Sequence, residues 1–65
     1  MGKADPLEKA QALIEWQGEP VIYHGQKWYW FQRWSPSRRR AVEVLEDAGR
    51  LVRWSDKTTG LVRLV

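Results

Sequence analysis

The 65-residue chain has no cysteine, a single histidine, no long apolar run and no glycine-rich loop. Each absence closes a class of function. Without cysteine there are no disulfides, thiolate zinc sites or cysteine nucleophile, a composition compatible with a reducing cytosol. His24 has no H-x-x-E or H-x-H partner, so it offers neither a metal centre nor an acid–base pair. Ser35, Ser37 and Ser55 lack a nucleophile-elbow context, and the Gly25-Gln26 and Thr58-Thr59-Gly60 stretches are turn sequences, not phosphate cradles. No segment approaches the roughly 20 apolar residues that span a bilayer. The Met-Gly-Lys start lacks the apolar centre of a signal peptide. The expectation is a non-catalytic protein with no cofactor, no metal and no membrane partner, soluble and cytoplasmic, or nucleoid-associated if it binds DNA.

A chain of this length makes one domain at most, residues 1–65, and small domains bury only about 60% of the surface that their unfolded chains expose. Charge is unevenly spread along it. Residues 1–26 hold two bases against four acids, a net −2, whereas residues 27–65 hold nine bases against four acids, a net +5. A basic half of this kind is the footprint of a face for polyanions.

Helix signals open the chain. Asp5 suits a cap, Pro6 the first turn and Gly18 a stop, while Leu7, Ala10, Leu13, Ile14 and Gln17 recur at helical spacing, so a helix is predicted over about 6–17. In residues 21–33 β-branched and aromatic residues flank Gly25-Gln26, which predicts a β-hairpin, or a strand followed by a short helix. With Gly25-Gln26 as the turn, Tyr23 lies opposite Trp28 and Val21 opposite Trp30 on one face, and Ile22 opposite Tyr29 on the other. Both faces are then apolar.

The second helix is predicted over 36–48, capped by Ser35 and ended by Gly49, with Ala41, Val42, Val44, Leu45 and Ala48 as its buried stripe. Arg39, Arg40, Glu43, Glu46 and Asp47 project outward, Arg38 lies at the boundary, and Glu46 can pair with Arg50. Its first turn carries Arg38, Arg39 and Arg40. The helix dipole disfavours each cation there by about 0.3–1 kcal/mol, a cost that an anionic ligand would reverse. A closing β-hairpin is predicted over 51–64, with Trp54 facing Val62 on the buried side and Arg53 facing Arg63 across the ladder, a second like-charge cost that an anion would relieve.

The run from Ser35 to Val65 resembles the C-terminal half of a winged helix-turn-helix domain: a capped helix of the form S-x-S-R-R-x-A-x-x-x-L-E-x-A-G, the strand Leu51-Val52-Arg53, a polar tip, and the returning strand Leu61-Val62-Arg63-Leu64. The likeness implies a small α+β, winged-helix-like domain that binds duplex DNA, as a transcriptional regulator or a replication or recombination accessory factor. It places Ser35, Ser37, Arg38, Arg39 and Arg40 in the groove and on phosphates, and Lys57, Thr58 and Thr59 on the flanking backbone. Arg33, Arg53 and Arg63 would add charge. The family places another helix just before the recognition helix, where this chain has the aromatic stretch 27–33.

Of the five tryptophans, Trp16, Trp30 and Trp54 read as core, while Trp28 and Trp34, bordered by Lys27, Gln32 and Arg33, stand between core and contact surface. Aromatics beside bases also suit single-stranded DNA or RNA. The alternative to a duplex binder is therefore a single-strand binder, or a protein-interaction module or small inhibitor using residues 21–34. One small domain also suggests a protein partner or a homodimer.

Overall fold

Asp5 caps the first helix as its side chain predicts, its carboxylate accepting the Leu7 N–H at 2.8 Å with Pro6 in the first turn. The computed structural model describes residues 5–54 and 60–65. Its elements run α1 (Pro6–Gln17), β1 (Glu19–Tyr23), β2 (Gln26–Trp30), α2 (Pro36–Asp47), β3 (Leu51–Arg53) and β4 (Leu61–Leu64). The strands form one antiparallel sheet in the order β1-β2-β4-β3. The described residues form an α+β fold of two helices and four strands. Residues 26–30 are strand, so the order α-β-β-α-β-β departs from the winged helix-turn-helix pattern at the position of that family's preceding helix.

Both helices pack on one face of the sheet. Ala10 and Ile14 of α1 and Ala41, Val42 and Leu45 of α2 meet Tyr29, Phe31, Leu51 and Val62 in a single core. Ile14, Val42, Leu45 and Val62 are fully enclosed, and each such side chain contributes about 1.5–3 kcal/mol of burial. Gln17 at the end of α1 bonds Arg38 at the start of α2, while Pro6 and Val44 line a common cleft, so the two helices run antiparallel. Ala48, expected in the buried stripe, is exposed beyond the end of α2.

The first hairpin turns at His24-Gly25 instead of Gly25-Gln26. His24 (φ 50°) and Gly25 (φ 73°) are both left-handed, the signature of a type I′ turn that matches strand twist. Tyr23 therefore pairs with Gln26, Val21 with Trp28 and Glu19 with Trp30. Pro20 explains the choice. Residues flanking a two-residue loop exchange both hydrogen bonds, and every second residue does so along the ladder. The expected turn would have put Pro20, which has no N–H, in such a position; the observed one turns it to the free edge. The shift is by two residues, so each side chain keeps its face.

In the second hairpin the shift is by one, and the faces exchange. Arg53 pairs with Val62, Val52 with Arg63 and Leu51 with Leu64. The Trp54 N–H donates to the Leu61 carbonyl at 3.0 Å. Arg53 and Arg63 thus lie on opposite faces and do not repel across the ladder, and Trp54 is not on the Val62 side. Close approach at Gly60 fixes this strand: Phe31 N–H donates to its carbonyl at 2.9 Å, and an added Cβ would meet the Phe31 oxygen at 2.2 Å.

The outer face of the sheet carries Trp28, Trp54 and Tyr23 as a second cluster. The Trp54 ring stands edge-to-face against both Trp28 (5.3 Å) and Tyr23 (5.0 Å), and the Arg63 guanidinium lies 5.6 Å from the Trp28 ring centre. Trp28 is buried as a result, at 6% exposure. The expected core tryptophans come out differently: Trp16 is 89% exposed, Trp30 is 39% exposed, and Trp54 is half-buried on the outer face.

Candidate nucleic-acid interface

Ser35 begins the site by capping α2. Its hydroxyl accepts the Arg38 N–H at 3.2 Å and its carbonyl accepts the Arg39 N–H at 3.0 Å. The Ser35 side chain is therefore committed to the helix. No acid stands in the first turn of α2, as the sequence requires, and Ser37 is exposed on the side facing α1.

The three arginines separate at once, because consecutive helical residues turn by about 100°. Arg38 faces the end of α1. Its Nε donates to the Gln17 side-chain oxygen at 2.9 Å, its Nη1 donates to the Arg33 carbonyl at 2.9 Å, and its guanidinium lies 5.1 Å from the Phe31 ring centre. One planar group thus ties together the C-terminus of α1, the loop before α2 and the first turn of α2. Sequence reasoning placed Arg38 at the boundary but missed its acceptor Gln17 and its platform Phe31.

Arg39 turns toward β3. It lines a cleft with Trp34, Glu43 and Arg53, and among the described residues it has no ion-pair partner. Arg53 at the end of β3 lies 5.8 Å from the Trp34 ring centre, and its Nε pairs with Glu46 at 3.0 Å. Glu46, expected to reach Arg50, takes this cross-element partner instead. Trp34 is half-buried, tilted on Phe31 at 5.5 Å. Arg33 is exposed beside Trp30 and Gln32 in a neighbouring cleft.

Arg40 turns to the opposite side, into the groove shared with α1 and Lys9. The structure therefore brings Arg39, Arg53 and Trp34 together, with Arg33 on the same end of the molecule, and leaves Arg40 and Ser37 apart. Trp28, considered as an aromatic contact, is covered by Trp54 and Arg63. Its Nε1 and the Arg63 Nε are buried without a hydrogen-bond partner among the described residues. Lys57, Thr58 and Thr59 lie outside the described residues.

No group of three or more potential metal ligands occurs among the described residues, and none of their helices is long and apolar enough to cross a membrane. Comparison with protein-family models, curated proteins and solved structures finds no match for this chain.

Proposed function

We propose that the chain is a small non-catalytic DNA-binding protein, a transcriptional regulator or an accessory factor in replication or recombination, that meets duplex DNA with the start of α2 and the base of the β3–β4 connection. The observation that carries this is the shared cleft of Arg39, Trp34 and Arg53, which places the first turn of α2 beside the root of the second hairpin. Two successive elements, α2 and β3, thereby present Arg39 and Arg53 on one edge. Arg39 and Arg33, both exposed and without an ion-pair partner among the described residues, supply guanidinium groups for phosphate oxygens, and a phosphate near Arg39 also meets the favourable end of the α2 dipole. Arg53 is held in place by Trp34 and Glu46. Arg38 acts as a positioning residue that fixes the angle at which the α2 tip emerges.

Fluorescence anisotropy with a short random duplex at several salt concentrations tests this. Affinity is expected to fall by about 0.9 log units per log of salt for each phosphate contact. Arg39→Ala should lower the affinity and reduce that slope by about 1. A salt-indifferent curve, or an Arg39→Ala variant that binds as the native chain does, refutes the reading.

A second reading has its own support in the outer sheet face, where Tyr23, Trp30 and Val52 are each about two-fifths exposed. Such a patch suits a protein partner. Loss of a partner on Tyr23→Ala with Trp30→Ala, with Arg39→Ala silent, would favour it.

A further inference from the structure

Arg33 and Arg38 line a second cleft, for which contact with a continuous duplex gives no use. It lies where the ends of α1 and β2 meet the start of α2, and at about 340 Å³ it falls within the roughly 300–1,000 Å³ of small-molecule sites. The partly exposed ring of Trp30 supplies its aromatic wall. The bonds of Arg38 to Gln17 and to the Arg33 carbonyl hold the opposite side in place. Those bonds engage the Gln17 oxygen and leave its NH2 group as a donor, while Glu19 offers acceptors, Arg33 donors and Gln32 both. A phosphate would use only the guanidinium groups of this set. Mixed donors and acceptors around an aromatic wall suit the edge and face of a nucleobase.

We propose that this cleft takes an unpaired nucleobase, stacked on Trp30 with its edge toward Glu19, Gln17 and Gln32, so that the protein prefers a duplex with a single-stranded extension over a blunt one. The proposal rests on the duplex reading for the path of the phosphate chain. The two clefts flank one ridge: Arg33 and Arg38 line the first, and their chain neighbours Trp34 and Arg39 line the second. A strand that runs from its duplex past Arg39 therefore crosses Arg33 as it reaches Trp30. A paired base cannot follow it, because its edge and both faces are engaged in the helix. Entry without the cost of extrusion is open only to a base already outside the stack.

Fluorescence anisotropy with a blunt duplex, the same duplex with a short single-stranded extension, one with an abasic extension, and the isolated strand tests this. The base-carrying extension should raise affinity by about tenfold, as one base stacked on an aromatic side chain does, and the abasic extension should not. Trp30→Ala should remove the gain while leaving blunt-duplex affinity and circular dichroism unchanged, and Trp30→Phe should keep part of it. Independently of any variant, 2-aminopurine placed next to the junction should lose fluorescence on binding the native chain. An extension without effect, an abasic extension that works as well, unquenched 2-aminopurine, or a gain that survives Trp30→Ala overturns the proposal. The duplex reading still stands in those cases if the blunt probe responds to Arg39→Ala. Conversely, a blunt duplex that does not bind, beside an isolated strand whose binding is lost in Trp30→Ala, overturns the duplex reading and keeps the base in the cleft. Failure of every probe to bind overturns both.

Discussion

Arg38, Arg39 and Arg40 are neighbours in sequence and strangers in space. A run of like charges looks like one patch when written on a line, but a helix disperses it around its axis, and here each guanidinium enters a different cleft. Arg38 is the one the fold depends on. Two hydrogen bonds to neutral oxygens, on Gln17 and on the Arg33 backbone, give it the compensation that the helix dipole withholds. Arg38→Ala should lower unfolding free energy by about 1–2 kcal/mol in urea titrations, the sum of weak charged hydrogen bonds and the Phe31 contact. Arg38→Lys should recover little of this, because a single ammonium cannot reproduce the planar fork that reaches both acceptors. Arg39→Ala, by contrast, should leave stability within about 0.5 kcal/mol. Equal loss in both variants would contradict the separation of roles.

At the scale of elements, the two hairpins show how a turn decides where side chains go. The His24-Gly25 turn needs two left-handed residues, and His24 meets that requirement without being glycine. Asparagine accepts this conformation more readily than histidine, so His24→Asn should raise the thermal midpoint. Gly25→Ala should lower stability by about 1 kcal/mol, since a Cβ at φ 73° is strained even where space is open. A calorimetric scan of the two variants checks both signs. The helices and strands were legible in the sequence because caps and periodicity are local signals: Asp5-Pro6 and Ser35-Pro36 mark the starts of both helices. Pro20 carried the register of the first hairpin as well, through its missing N–H. The register of the second was not legible, since it depends on Gly60 passing beneath the Phe31 backbone, a contact between residues far apart in the chain. That one-residue difference moved Trp54 and Arg53 to new faces, and with them half of the candidate site.

For the molecule as a whole, the sheet is covered by unlike means on its two faces: helices over one, and an aromatic cluster over part of the other. A 65-residue chain is stable by only about 3–10 kcal/mol, so one large ring matters to the total. Trp54 is the ring that closes the second layer, touching Tyr23 and Trp28 from the far end of β3. Its removal would uncover the side of Trp28 against which it packs. Trp54→Ala should therefore cost about 2–4 kcal/mol, a large share of the total, while Trp54→Phe, which keeps an edge for both neighbours, should cost less. Trp16→Ala is the internal control, because its ring touches none of this and its loss should leave the unfolding midpoint unchanged. If urea titrations rank the two alanine variants the other way, the outer cluster is no second core, and Trp28 returns to the set of residues available to a ligand.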